Sequence, residues 1–387
     1  MQFQNFDLEY YQSQFERTVE CNLADSSVEC VNIREWLTDA EVHEFLQTPL
    51  FYPEVNGFQL LRRRIAALYP KATEHNILVT VGASQANSMV CTTLLEAGNE
   101  VIVVSPGYRQ VWGIAKNLGC NVKELHLDPD NDWAFDPHEL ESLVTDRTKL
   151  ISIVNPNNPT GAVLPAEARR QLVQACERTG AWLHVDEVYC GTELDSAKLS
   201  AEERASFWGA YDKVICVHSM SKAYGMAGLR IGWAVAAPEV IETLWRRHEY
   251  AVIATSGPSM KLAEIALQPE KRKLLLDRQR KLSREGHALL EDWIGQQGGL
   301  FSVSKAVATS VRFVRYHFDT PSLELAEHLR KNASLLIAPG IFLGAEHHLR
   351  IAVGYKLDRI KAALDRLGSA AAQLQHAGNL KVGSLHA

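Results

Sequence analysis

The stretch from Cys216 to Trp233 contains one lysine, set among small residues and hydroxyls. Ser219 and Ser221 precede Lys222 by three residues and one residue, and Arg230 follows it by eight. Hydroxyls and an arginine suit a bound phosphate, and an amine that is desolvated beside another cation is a nucleophile at neutral pH. Pyridoxal 5′-phosphate (PLP) offers both a phosphate and an electrophilic carbon. Taken alone, the stretch also fits a tight helix-strand connection with an incidental lysine.

Further candidates follow apolar segments of the chain. Asp186 ends one such segment, where a carboxylate is costly to bury unless it is paired. A protonated pyridine nitrogen would pair with it, and this protonation makes the ring an electron sink. Tyr189 and Asn158 could donate hydrogen bonds to a phenolate oxygen, and Tyr108 could stack on a ring. Capping, turn and packing roles are the alternatives for these residues.

Two more features suit anions. Gly82, Ala83 and Ser84 form a turn between a predicted strand and a predicted helix, and such a turn presents free N–H groups to an anion. Arg350 lies on a strand pattern near the end of the chain, and its planar fork suits a substrate carboxylate. A salt bridge between domains is the alternative for this arginine.

Continuous apolar segments alternate with helical ones from residue 77 onward, which predicts a mostly parallel sheet covered on both faces. Ligands of such sheets bind at the carboxyl ends of the strands, where the candidates fall. We predict an N-terminal segment (1–48) joining a small α/β domain, a large domain (49–275), the C-terminal small domain (276–368) and a partly disordered tail (369–387). Single helices are predicted over Ile33–Phe45 and, between the domains, over about Glu270–Gln296.

Composition narrows the class of protein. The chain has 387 residues, is 46% hydrophobic and carries a formal charge of -6, which favours two domains and no nucleic-acid partner. No apolar run reaches the ~18 residues of a membrane helix. The seven scattered cysteines are typical of a reduced, cytoplasmic protein, and no metal site is predicted.

These motifs together resemble the fold-type I PLP-dependent enzymes of the class I/II aminotransferase family, over about residues 15 to 368. The resemblance rests on Tyr52 with Gly57, GAS at 82, PGY at 106, NPNNPTG at 155, DEVY at 186, SMSKAYGMAGLR at 219 and LRIAVG at 349. It implies an α/β fold with a mostly parallel seven-stranded sheet domain, a smaller α/β domain, and a homodimer with shared active sites.

The resemblance also implies a role for each candidate residue. Lys222 would bond to the cofactor and carry the proton, with Asp186 on the pyridine nitrogen and Tyr189 on the ring oxygen as the other catalytic groups. The binding residues would be Asn158 on the ring oxygen and near the substrate, Tyr108 stacked on the ring, Arg350 on the α-carboxylate, and Gly82, Ala83, Ser84, Ser219 and Arg230 around the phosphate, with Tyr52 from the neighbouring subunit.

The N-terminal segment departs from ordinary aminotransferases, which usually carry a glycine near the substrate where this chain reads NLADSS. The segment resembles the subgroup that contains capreomycidine synthase and the guanitoxin-pathway cyclodehydratase, which forms enduracididine from γ-hydroxyarginine. An acidic lid suits a guanidinium substrate, since a carboxylate can bind it bidentately. Glu9, Asp25 and Ser26 are therefore predicted substrate contacts, although solvated acids are the alternative.

Three hypotheses follow. The first is a PLP-dependent cyclodehydratase of hydroxylated arginine, indicated by the acidic N-terminal segment. The second is an ordinary aminotransferase, indicated by the complete set of shared motifs. The third is a PLP-binding regulatory module without turnover, which the intact set of Lys222, Asp186 and Arg350 argues against.

Overall fold

The computed structural model describes the backbone of residues 3–376 and the side chains of residues 3–373. The helices are α1 (Asp7–Phe15), α2 (Ile33–Trp36), α3 (Asp39–Leu46), α4 (Gln59–Ala66), α5 (Gly82–Leu94), α6 (Gln110–Asn117), α7 (Pro137–Leu143), α8 (Ala166–Thr179), α9 (Ala201–Arg204), α10 (Pro238–Ala251), α11 (Gly257–Ala266), α12 (Pro269–Gly295), α13 (Ser322–Ala333) and α14 (Leu357–His376). The strands are β1 (Cys21–Asn22), β2 (Ile77–Thr80), β3 (Glu100–Ser105), β4 (Asn121–Asp128), β5 (Ala134–Phe135), β6 (Thr148–Val154), β7 (Trp182–Asp186), β8 (Val214–Ser219), β9 (Gly232–Val235), β10 (Phe301–Ser302), β11 (Val311–Tyr316), β12 (Leu335–Leu336), β13 (Ala338–Pro339) and β14 (His348–Ala352).

The large sheet has the strand order β2-β9-β8-β7-β6-β3-β4-β5. Its central strands β4, β3, β6, β7 and β8 pair in parallel, while β9 runs antiparallel to both of its neighbours. The predicted mostly parallel α/β sheet is therefore confirmed. It has eight strands rather than seven, because the two residues of β5 turn back antiparallel onto the edge strand β4.

Helices cover both faces of this sheet, as continuous apolar strands require. On one face, α5 and α10 pack against β8 and β9 through residues such as Met89, Leu244 and Val217. On the other face, Leu172 of α8, Met260 of α11 and Trp233 of β9 belong to the largest apolar cluster. The functional groups at the strand ends thus stand on a rigid, doubly covered layer.

The C-terminal part of the chain forms a second layer around the antiparallel sheet β10-β11-β14-β13. Helices α12, α13 and α14 pack on it through an apolar cluster that includes Leu290, Leu329 and Leu364. Strand β1 near the N-terminus pairs with β12 of this part, with Cys21 opposite Leu335. The N-terminal segment therefore contacts this part of the chain, and the predicted division into domains stays a prediction.

The predicted long helix over Glu270–Gln296 is confirmed as α12, but two other helices differ from the predictions. The single helix expected over Ile33–Phe45 is wrong: Leu37 is extended, and the Thr38 hydroxyl and Glu41 carboxylate form a capping box that starts α3. The tail expected from residue 369 is helical up to His376, because Ala370 and Ala371 are buried and alanine favours helix. The rest of that predicted tail lies outside the described residues. Among the described helices, none is both long and apolar enough to cross a membrane.

A stability test follows from the close approach of α12 to the end of β14. At Gly286, a Cβ atom would clash with the Val353 carbonyl oxygen and lie 2.9 Å from Ile360 Cδ1. We expect Gly286→Ala to lower the free energy of unfolding by about 1–3 kcal/mol, since the core must shift to admit a methyl group. Denaturant-induced unfolding of the purified protein measures this change.

The control is Gly295→Ala on the same helix, where an added Cβ meets no atom within 4 Å among the described residues. Alanine there should be neutral or stabilising by up to about 1 kcal/mol. Equal destabilisation by the two substitutions would show that the contact with Val353 does not determine the cost.

Candidate active site

A cavity of about 380 Å³ opens where β6, β7 and β8 end, at Val154, Asp186 and Ser219. The structure brings most of the predicted site residues to its wall: Glu9, Ser26, Ala83, Ser84, Tyr108, Asn158, Asp186, Tyr189, Ser219, Lys222 and Arg230. Gly82, Asp25, Arg350 and Tyr52 are not on this wall. The first three of these are tied to wall residues by the contacts described below.

Lys222 follows β8 and meets the N-terminal loop (residues 22–27). Its Nζ atom donates to Ser26 Oγ at 2.9 Å and to Ser27 Oγ at 3.4 Å, and lies 3.9 Å from Asp25 Oδ1. Asp25 also accepts hydrogen bonds from the backbone N–H and hydroxyl of Ser27 and from Tyr355 Oη. Burial alone would raise the pKa of Asp25, but the Lys222 charge and these hydrogen bonds outweigh it and hold the pKa below its usual value. The amine therefore sits against an anionic loop.

Asp186 is the last residue of β7 and its side chain is buried. Oδ2 accepts from Asn87 Nδ2 at 2.9 Å, and Oδ1 accepts from the Val188 backbone N–H at 3.1 Å. Burial raises the pKa of Asp186, and these two hydrogen bonds and the more distant Lys222 offset part of that rise. No ion pair involves Asp186 within the described part of the chain. A cationic ring nitrogen in the cavity would supply the missing countercharge.

Two tyrosines connect the cavity to the N-terminal segment. Tyr189 Oη donates to the Ser26 backbone carbonyl at 2.9 Å. Tyr108 Oη donates to Glu9 Oε1 at 3.0 Å, and its ring meets Phe6 edge-on with the ring centroids 5.1 Å apart. Burial and the Glu9 carboxylate raise the pKa of Tyr108 well above its usual value. Both phenols are therefore protonated donors at neutral pH.

The start of α5 forms an anion cradle. Gly82 has φ +74°, and a Cβ atom there would lie 2.5 Å from Arg230 Nη2, so only glycine lets the guanidinium approach this turn. A Cβ on Gly232 of β9 would likewise clash with the Gly82 carbonyl carbon. Ser219 Oγ accepts from the Ser221 N–H at 3.2 Å beside this turn. A helix N-terminus, an arginine and serines together fit a phosphate.

Arg350 is 1% exposed on β14 and reaches the cavity through Asn158. Its Nη1 donates to Asn158 Oδ1 at 3.1 Å and its Nη2 to the Ala24 backbone carbonyl at 2.6 Å. Nε has no partner among the described residues. The arginine thus has an unsatisfied donor, and one of its other contacts is a carbonyl of the N-terminal loop.

Several wall residues escaped the sequence predictions, among them Phe6, Asn87 and Gln110. Asn87 lies one helical turn after Ala83 and Ser84, so the spacing of residues on one helix face could have identified it. Gln110 starts α6 and donates from Nε2 to the Ser84 carbonyl at 2.8 Å. Gln110 belongs to none of the sequence motifs, and only its contact with Ser84 of helix α5 shows that it lies at the cavity.

An α/β sheet with a lysine, a buried carboxylate and a phosphate cradle at its strand ends defines an enzyme that uses PLP, and the residues present fit that cofactor. The family model described as "Aminotransferase class I and II" matches residues 25–367, so the chain belongs to this family of PLP-dependent enzymes. The chain is 27% identical to capreomycidine synthase from Streptomyces vinaceus over 295 residues, which cover 76% of this chain and 74% of the relative. It is 30% identical to arginine–pyruvate transaminase from Pseudomonas aeruginosa over 204 residues, 51% of each chain.

The solved structures agree with this assignment. A PLP-dependent aminotransferase from Streptococcus suis matches with a TM-score of 0.89 and 28% identity, covering 96% of this chain and 99% of the other. The fold, the cofactor and the general class of enzyme predicted from the sequence are therefore confirmed. The role of each site residue and the reaction stay proposals.

Tyr52 generates a test of the predicted shared site. Its side chain is 80% exposed, next to exposed Leu50 and Phe51, and lies outside the cavity of its own chain. We expect a dimer of twice the 43.2 kDa chain mass, in which Tyr52 of each subunit contacts the phosphate of the other. Tyr52→Phe should then weaken PLP binding about tenfold, the loss of one hydrogen bond to a charged group. Light scattering and PLP titration of the apoenzyme measure the two quantities.

Tyr250→Phe is the matched control, because this tyrosine is 97% exposed and we assign it no contact with the cofactor. Its PLP affinity should equal that of the unmodified protein. A monomer that binds PLP with full affinity would contradict the shared site.

Proposed function

We propose that this chain is a PLP-dependent cyclodehydratase that converts γ-hydroxy-L-arginine to L-enduracididine. The observation that carries the proposal is the convergence of the polar N-terminal segment on the reactive lysine: Ser26 Oγ lies 2.9 Å from Lys222 Nζ, and Glu9 lines the same cavity. The similarity to capreomycidine synthase over most of both chains agrees with a ring-forming relative.

The proposed reaction is balanced without an oxidant or an acceptor. The bond between Cγ and its hydroxyl oxygen breaks, a guanidine nitrogen bonds to Cγ, and that nitrogen's proton leaves with the hydroxyl as water. PLP, when bound, supplies the electron sink that makes the α-proton of an amino acid acidic. The amino group stays on the product, which distinguishes this reaction from transamination.

Lys222 is the group we propose to take and return the α-proton. Its Nζ is held by two serine hydroxyls and lies 3.9 Å from the Asp25 carboxylate, so these contacts fix the position of the amine. Tyr189 Oη, a donor at neutral pH, belongs to the same group through its contact with Ser26. These contacts favour proton transfer at a defined position rather than exchange with solvent.

Arg350 and Asn158 are the proposed carboxylate site. The Arg350 Nε donor has no partner in the described residues, while Nη2 is occupied by the Ala24 carbonyl. A bidentate carboxylate therefore competes with a carbonyl of the N-terminal loop for this guanidinium. Substrate binding and the position of the loop over Lys222 are coupled in this proposal.

Glu9 is the proposed anchor for the guanidinium. One of its oxygens accepts from Tyr108 Oη, and no ion pair of Glu9 is present in the part of the chain that the structure describes. A carboxylate with an open oxygen at the cavity wall can pair with a substrate cation. Asp25 is not on the cavity wall, and its closest cation is Lys222, so its proposed substrate contact is less direct than that of Glu9.

An aminotransferase is the second candidate. Its support is the family itself, the similarity to the Streptococcus suis aminotransferase, and the partial similarity to arginine–pyruvate transaminase. This candidate uses the same cofactor contacts and would also accept a guanidinium substrate. The seven free cysteines agree with the proposed cytoplasmic location of either enzyme, because thiols stay reduced there.

One assay separates the candidates. Holoenzyme is incubated with γ-hydroxy-L-arginine and no 2-oxo acid, and the products are analysed by mass spectrometry. We expect a product lighter by one water that retains the α-amino group, and no product from Lys222→Ala. Turnover that requires a 2-oxo acid would sink the cyclodehydratase and support the aminotransferase, and no turnover under either condition would support a binding module.

The guanidinium anchor makes a separate prediction. Glu9→Gln removes the negative charge but keeps the size of the side chain, so KM for γ-hydroxyarginine should rise about tenfold while PLP affinity stays unchanged. Steady-state kinetics and PLP titration measure the two effects.

Glu16→Gln serves as the control, because Glu16 is the C-cap residue just after the same N-terminal helix but faces solvent near Arg17. Its kinetics should match those of the unmodified enzyme. If both variants raise KM equally, the effect is one of overall charge and Glu9 is not the anchor.

A further inference from the structure

A chain of four buried polar side chains leads from the middle of the large sheet to the Asp186 carboxylate. Ser152 Oγ lies 2.9 Å from His184 Nδ1, and His184 Nε2 lies 3.0 Å from Asn87 Oδ1. Asn87 Nδ2 then donates to Asp186 Oδ2 at 2.9 Å. Ser152, His184 and Asn87 are all buried, so water cannot replace these contacts.

The hydrogen atoms of this chain have one consistent arrangement. Burial lowers the pKa of His184 to about 4, so the imidazole is neutral at neutral pH and carries a single N–H. The Asn87 amide group faces Asp186, since its oxygen would repel a carboxylate, and its oxygen therefore needs a donor. His184 Nε2–H is that donor, and Nδ1 accepts from the Ser152 hydroxyl. Every donor in the chain points toward Asp186.

Asn87 also joins this chain to the phosphate cradle. Its second amide hydrogen is directed to Gln110 Oε1 at 3.1 Å, and Gln110 Nε2 donates to the Ser84 carbonyl at 2.8 Å. One side chain thus connects the carboxylate at the end of β7 with the anion-binding turn at the start of α5. These are the two positions that must lie a fixed distance apart to hold the ring nitrogen and phosphate of one cofactor.

We propose that Asn87, supported by His184 and Ser152, is a positioning residue that holds Asp186 toward the pyridine nitrogen of PLP. The network orients the carboxylate by a hydrogen bond from a fixed donor and keeps its ionised form solvated by protein dipoles, in a place where water is excluded. The proposal concerns the cofactor ring alone. It holds for a cyclodehydratase and for an aminotransferase, and does not depend on the substrate.

The test uses two cofactors. Apoenzyme of the unmodified protein and of Asn87→Leu is titrated with PLP and with an analogue that carries a carbon in place of the pyridine nitrogen. Leucine is close to asparagine in size but cannot hydrogen-bond. We expect PLP affinity to fall about tenfold in the variant, the loss of one hydrogen bond to a carboxylate. Affinity for the analogue should stay within about twofold, because the analogue makes no pair with Asp186 and loses only the indirect support that Asn87 gives to the phosphate turn through Gln110.

His184→Phe is the second variant, which keeps a planar ring and removes both the donor to Asn87 and the acceptor of the Ser152 hydroxyl. It should lower PLP affinity by a smaller factor, about threefold, again without affecting the analogue, and it provides the comparison if Asn87→Leu does not fold. Thr92→Val, on the outer part of the same helix α5, is the control and should bind both cofactors normally. An equal loss of affinity for both cofactors, or no loss for PLP, would overturn the proposal.

Discussion

A carboxylate buried at the end of a central strand is the constraint on which the site depends. Asp186 ends β7, in the middle of the large sheet, where ionisation without a countercharge is costly. Asn87 and the Val188 backbone donate hydrogen bonds to Asp186, but no cationic side chain among the described residues forms an ion pair with it. The remaining charge is open to a cationic ligand, and in our proposal this position favours a protonated ring nitrogen over a neutral group. The parallel sheet makes the arrangement possible, because its strands bring Asp186, Ser219 and Val154 to one edge.

The N-terminal segment is the second determinant, because it contacts both parts of the molecule. Strand β1 pairs with β12 of the C-terminal layer, whereas Ser26 contacts Lys222 and Tyr189 of the large sheet. The Ser26 carbonyl also accepts from Ser310 Oγ at 3.3 Å, next to β11. The N-terminal loop therefore contacts both layers. A displacement of either layer would therefore change the polar surroundings of the lysine.

The sequence was most informative where chemistry and strand pattern coincide. Asp186, Ser219 and Lys222 end or follow apolar segments, so their convergence at one edge could be predicted from sheet topology alone. The predictions failed where the signal was short or lay in side-chain contacts between elements. Strand β5 has two residues and no pattern of its own. The break between α2 and α3 required recognition of the capping box at Thr38, and the hydrogen bond from Asn87 to Asp186 joins two residues that are 99 positions apart in the sequence.

The difference between residues that contact the cofactor and residues proposed to contact the substrate explains why the reaction is harder to infer than the cofactor. PLP contacts are set by one rigid sheet and its strand ends, and each residue type follows from the chemistry of a phosphate or a ring nitrogen. The proposed substrate contact Glu9 belongs to a short helix, and its carboxylate meets the cavity residue Tyr108, whose ring packs on Phe6. Leu8 and Tyr11 hold this nine-residue helix on the main apolar cluster, but its exposed acidic positions can change at little cost to the fold. In our proposal, specificity for a guanidinium group thus depends on exposed positions that the fold leaves free to vary, while the proton chemistry of Lys222 depends on a residue that follows a buried central strand.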